Sequence, residues 1–155
     1  MQPKQHLTYG TIFTIAISLI FPKTTLFNLL ILWLSTWLII DLDHILTYII
    51  KTKSINPKRF WKHSQQRRKQ FNKISKQEKK QYETSPMILH STEFLIMLIL
   101  LGNISPTFYF ISAGFFFHLI LDYIDYYKRK INVLTKMSII YTLITNKKKK
   151  EFIIE

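Results

Sequence analysis

The sequence predicts an all-α integral membrane protein: a four-helix bundle interrupted by a basic cytoplasmic loop that carries helix signals of its own. Three observations predict it. Nearly half of the 155 residues are apolar, long stretches of chain hold almost no charge, and 20 of the 22 Lys and Arg fall in two blocks outside those stretches. A soluble amphipathic helix interleaves its charges with its apolar positions, so this segregation is the composition of a polytopic membrane protein. The absence of cysteine excludes a disulfide scaffold, a thiolate zinc finger and a cysteine nucleophile.

The elements follow in order. Residues 5–22 and 24–40 contain no Lys, Arg, Asp or Glu, and Phe21-Pro22-Lys23-Thr24 joins them as a short turn, so the pair reads as a helical hairpin. A cleaved secretory signal explains it less well, because a second apolar run follows without a small-residue cleavage site. A third run, Thr84 to Leu101, is interrupted only by His90 and Glu93. Gly102-Asn103-Ile104-Ser105-Pro106 breaks it from a fourth, Thr107 to Tyr127. A span needs about 20 apolar residues for about 30 Å of hydrocarbon; the first and third runs are short, and the second and fourth protrude.

Residues 51–84 hold 12 Lys and Arg against two Glu, and a second basic block runs from Lys128 to Lys150. The positive-inside rule makes both cytoplasmic. Four crossings then put the N-terminus, this loop and the C-terminus on one side of a cell membrane. The domain division expected is 1–130 for the transmembrane part, with 51–84 inserted, and 131–155 for a basic cytoplasmic tail. Asn56-Pro57 reads as N-cap and first residue of a surface helix through Trp61, Phe71, Ile74 and Tyr82, and residues 133–144 as a further short amphipathic helix.

Five of the nine acids and four of the five histidines lie in or beside the apolar runs. His6 precedes the first helix, Asp41, Asp43 and His44 end the second, His90 and Glu93 begin the third, and His118, Asp122 and Asp125 end the fourth. Alternating helix direction brings all four sets to the cytoplasmic level. Residues three, four or seven apart share a helix face, so His118, Asp122 and Asp125 form a stripe, and Asp41 with His44 and His90 with Glu93 form pairs. Asp43 falls about 160° from Asp41 on an ideal helix, which makes it a supporting group or the mark of local unwinding.

Ionisable groups within membrane segments are costly and point to function. Imidazole and carboxylate ligands without thiolate suit zinc, with manganese or iron as alternatives. Nine candidates exceed what one catalytic zinc uses, so two or more ions are expected, held by His6, Asp41, His44, His90, His118, Asp122 and Asp125. Asp43 and Glu93 are the candidates for a general base or for orienting a liganding imidazole. Two ions suit phosphoester hydrolysis.

Four pieces of sequence carry a resemblance: His6 with Gly10, Asp41-Leu42-Asp43-His44, His90-Ser91, and His118-Leu119-Ile120-Leu121-Asp122. Together they resemble the membrane-bound, metal-dependent hydrolases whose bacterial members are described as LexA-binding and inner-membrane-associated. That family is distantly similar to zinc-dependent phospholipase C, and the resemblance implies phosphodiester hydrolysis by analogy. It covers the apolar scaffold but neither 51–84 nor the tail. Many members carry another His about five residues before the one matching His90, where this chain has Ser85, so the resemblance leaves the ion count open.

The partners expected are membrane lipid and an anionic or phosphate-containing substrate. Two other classes compete with the hydrolase: an interaction or regulatory protein with a structural metal, and a metal or proton transporter. The transporter ranks third, because the opposite halves of the helices offer little beyond Thr14, Ser18, Asn28, Asn103 and Ser105. Plainer readings stand beside these. The basic loop reads first as a topology determinant, with nucleic-acid binding ranked well below; His63 reads as solvated, and Asp125 as a partner of Lys128 or Arg129.

Overall fold

The computed structural model describes residues 3–79, 87–128 and 133–146, and every regular element among them is helical. In chain order these are α1 (Pro3–Ile20), α2 (Leu26–Trp37), α3 (Leu42–Thr52), α4 (Pro57–Lys73), α5 (Lys76–Lys79), α6 (Thr92–Leu101), α7 (Thr107–Lys128), α8 (Leu134–Met137) and α9 (Ile139–Asn146). The longest, α7, is the central element, packed against α1, α2 and α6.

Small residues let these helices approach closely. A Cβ on Gly114 of α7 would lie 2.6 Å from the Ser35 Cβ and 2.8 Å from the Leu32 carbonyl of α2. A Cβ on Gly10 of α1 would meet the Thr36 side chain. Below these seams Ile40, Leu95, Leu98, Phe115 and Leu119 form a buried cluster. Hydroxyls within the apolar helices bond to carbonyls of their own preceding turn, Thr14 to Gly10, Ser35 to Ile31 and Ser112 to Phe108, leaving few polar groups for the surroundings to satisfy. The outward faces are apolar: Ile12 and Leu19 on α1, Leu26 and Phe27 on α2, Ile96 and Leu100 on α6, and Phe116 on α7 are all exposed.

Two expected helices end earlier or start later than their apolar runs. The second run breaks at residues 38–41, where both Leu38 and Ile39 donate to the Leu34 carbonyl, and α3 leaves at 48° to α2. The third run becomes helical only at Thr92, because Ser91 caps it, its Oγ accepting from the Phe94 amide at 3.1 Å. The stretch expected at 84–86 lies outside the described residues, as do Ser85, Tyr82, Arg129 and residues 147–155 of the tail. At ten residues α6 rises about 15 Å, half the hydrocarbon thickness. Among the described residues, α7 alone is by length and composition long and apolar enough to cross a membrane, and α2 with α3 passes only as one bent unit.

The surface helix begins where expected, Asn56 Oδ1 accepting from the Lys58 and Arg59 amides. It stops at Lys73 rather than continuing, because Ile74 is extended and Ser75 and Glu78 cap α5 reciprocally. The Ser75 backbone amide, with its hydroxyl second, holds the Glu78 carboxyl below its ordinary range. His63 is not simply solvated: it is half-buried, its ring 5.3 Å from that of Tyr48 on α3, and Phe60 packs on the same tyrosine. Burial, then Arg67 and Lys51, push the His63 pKa down.

Candidate metal centre

The break between α2 and α3 places the acids. Asp41 occupies the N-cap of α3 yet makes no side-chain cap bond, although an N-cap aspartate ordinarily accepts from the first-turn amides. Its Oδ1 instead lies 3.7 Å from His44 Nε2, 3.7 Å from His90 Nε2 and 3.9 Å from His118 Nε2. From α7, Asp122 Oδ2 lies 3.5 Å from His118 Nε2, one turn before it, and 3.8 Å from His90 Nε2. Asp122 Oδ1 reaches His6 Nε2 of α1 at 3.2 Å.

The rings interleave: His6 stacks on His118 with centroids 3.9 Å apart, and His90 stands edge-on to both His118 and His44. Two groups result, His6–His118–Asp122, which is buried, and Asp41–His44–His90, which is partly open. Within each, one ligand atom per residue lies within 4.8 Å of the others. The groups adjoin through Asp41 and Asp122.

This spacing is long for hydrogen bonds, which peak near 2.9 Å, and close to the edge of a zinc tetrahedron, about 3.4 Å for ligands about 2.05 Å from the ion. The protonation chemistry agrees. His90 Nε2, His118 Nε2 and His6 Nδ1 are buried without a hydrogen-bond partner among the described residues. A buried orphan of this kind costs about 1–3 kcal/mol; two of them, His90 Nε2 and His118 Nε2, face Asp41 and Asp122, as the donors of a cation would. The buried His/Asp groups can hold a metal ion.

The opposite edges of two rings are held by supporting groups. His118 Nδ1 faces the Thr36 carbonyl at 2.9 Å, an acceptor left over in the last turn of α2; donation there leaves Nε2 as the lone pair. His90 Nδ1 lies 3.4 Å from Asp43 Oδ2, and that oxygen also accepts the Leu89 and His90 amides. Carboxylate and carbonyl partners of this kind fix the tautomer of liganding histidines. Asp43 is therefore placed behind His90 and supports it, while Asp41 faces the cluster, which resolves their 160° separation.

Of the residues expected from sequence, His6, Asp41, His44, His90, His118 and Asp122 converge and Asp43 stands behind them. Glu93 does not join. With His90 in the turn before α6 rather than on it, the two do not share a helix face; Glu93 accepts from Ser138 Oγ and, at 3.3 Å, from the Ile139 amide, at the start of α9. Asp125 belongs to neither group. Two supporting features escaped the sequence reading: the Thr36 carbonyl and the Tyr126 hydroxyl, which donates to Asp122 Oδ2 at 3.4 Å. Only Tyr126 carried a signal, its spacing of four from Asp122. No family model, curated protein or solved structure matches the chain.

Proposed function

We propose that this chain is a multi-pass protein of the cell membrane, both termini cytoplasmic, and a metal-dependent hydrolase of a phosphoester carried by a phospholipid or another lipid-linked substrate. The observation that carries this reading is the convergence of four imidazoles and two carboxylates, at ligand spacing, at one end of a bundle whose outward faces are apolar. Zinc suits the donor set best, and the two adjoining groups suit two ions. Bound there, the ions would lower the pKa of a water and stabilise charge on the phosphoryl oxygens.

The protein's own contribution is arrangement. His6, His118 and Asp122 close the inner group, each nearly inaccessible, whereas His44 and Asp41 expose 40% and 26% of their side chains. A substrate therefore approaches through the outer group, where His44 and Asp41 line the entrance. Asp43 and the Thr36 carbonyl hold two imidazoles in register, so their lone pairs stay directed inward without reorganisation. The basic segment 53–79 follows α3 directly and attracts anionic headgroups to this side. Resemblance to the membrane-bound hydrolases points to the same chemistry.

A structural metal is the second reading, favoured by the closure of the inner group. The test is release of product from phosphodiester and phospholipid mixtures by zinc-loaded protein and by Asp122→Asn. Activity in the parent that the variant loses supports the enzyme. Equal activity, or none from either with zinc, manganese or iron, favours the structural reading. For topology, the chain has no cysteine of its own, so cysteines at Ser64 and Asn146 report alone; labelling of both from outside would reverse the orientation.

A further inference from the structure

The last helix among the described residues, α9, is built inside out. On α9 the buried residue is Thr142, and half-buried Thr145 and Asn146 lie near it, while Ile140, Leu143 and Ile144 are exposed and Tyr141 borders them. At about 100° per residue the exposed apolar side chains fall on one half of the helix and the polar ones on the other. A helix packed on a soluble core turns the other way, apolar side inward.

The orientation is fixed by specific bonds. Glu93 accepts from Ser138 Oγ and the Ile139 amide, Thr92 Oγ1 donates to the Met137 carbonyl at 3.1 Å, Thr142 Oγ1 donates back to the Ser138 carbonyl, and Met137 packs on the core cluster. These contacts turn the polar half of α9 toward the first turn of α6 and leave the apolar half facing out.

We infer that α9 is an interfacial membrane anchor whose apolar face lies in the acyl region of an anionic leaflet. Two observations select lipid as the occupant. α6, whose first turn is bonded to the start of α9, likewise exposes apolar side chains, Ile96, Ile99 and Leu100. Four consecutive lysines, Lys147 to Lys150, follow α9 in the sequence, a charge complementary to anionic headgroups. Eight residues rise about 12 Å, far too little to cross, so the helix lies in the interface, buried about 5–10 Å as such helices are. It holds the start of α6, and with it His90, at headgroup depth. This placement does not depend on the metal chemistry.

The experiment uses the full chain reconstituted in phosphatidylcholine–phosphatidylglycerol vesicles, with a bimane on a single cysteine at Leu143, Ile144 or, as an exposed reference on α5, Gln77. Quenching by shallow spin-labelled lipid should be several-fold stronger at Leu143→Cys and Ile144→Cys than quenching by aqueous iodide, with the reverse order at Gln77→Cys. Iodide quenching of the α9 probes equal to that of the free dye adduct would overturn the inference. So would shielding from both quenchers, which would mean protein covers this face. Both α9 positions are exposed, so neither variant disturbs packing, and metal content serves as an independent check that the protein is intact.

Discussion

Gly114→Ala should separate the stability of the bundle from the competence of its metal centre. The added Cβ would sit 2.6 Å from the Ser35 Cβ and 2.8 Å from a backbone carbonyl, so α7 and α2 must part by about 0.8 Å to regain ordinary contact. Overpacking of this kind costs about 1–3 kcal/mol, offset by about 1 kcal/mol because alanine is the better helix former. Net destabilisation is then on the order of 1 kcal/mol, a shift of a few degrees in Tm. The metal centre fares worse. His118 lies one turn beyond Gly114, and its 2.9 Å bond to the Thr36 carbonyl spans the same seam. Opening that seam by 0.8 Å stretches the bond to about 3.7 Å, beyond hydrogen-bonding range, and loss of an orienting partner costs roughly 10- to 100-fold in metal affinity. Zinc competition against a chromophoric chelator and thermal unfolding, both in one detergent, read the two effects. Gly102→Ala is the control, since the nearest atoms its Cβ would meet belong to the side chain of exposed Tyr109, away from the seam between α7 and α2. Unchanged zinc affinity in Gly114→Ala, or an equal loss in Gly102→Ala, would refute the reasoning.

Asp43→Asn should weaken zinc binding about 10-fold or more, since the amide replaces a carboxylate oxygen that accepts from both the backbone and His90; affinity equal to the parent's would show that His90 needs no such support. His63 has its pKa lowered in the folded chain, so the unfolded chain binds more protons between the two values and stability is lost as pH falls below about 6.5. Protection factors for hydrogen exchange in α4, referred to the intrinsic rate at each pH, should therefore fall below pH 6.5, and His63→Phe should remove that dependence. Glu93→Gln should speed exchange at the start of α9 while leaving zinc affinity intact, because Glu93 bonds to Ser138 and Ile139 rather than to the ligands; a fall in affinity would return Glu93 to the metal centre.

The grouping of these residues was legible because chemistry-bearing side chains stood out against apolar runs, and alternating direction was enough to bring His6, His44, His90 and His118 to one level. Helix spacing was enough for His118 with Asp122, which share an unbroken α7. It failed for His90 with Glu93, because an apolar run does not reveal where its helix starts, and Ser91 as a cap moved that start past His90. It was ambiguous for Asp41 and Asp43 because the bend at 38–41 has no proline or glycine to mark it. The Thr36 carbonyl was out of reach altogether, since a backbone acceptor has no signature in sequence. In α9 the amphipathic pattern was readable, but which half faces the protein depended on Glu93, 45 residues earlier.

Metal content of the purified chain tests the central claim most directly. After zinc loading and removal of excess, elemental analysis should find at least one ion per chain, approaching two, with a lower content in His118→Ala and no change in His63→Ala. Less than about a tenth of an ion per chain, or equal content in His118→Ala and the parent, would contradict a metal centre built from these six residues.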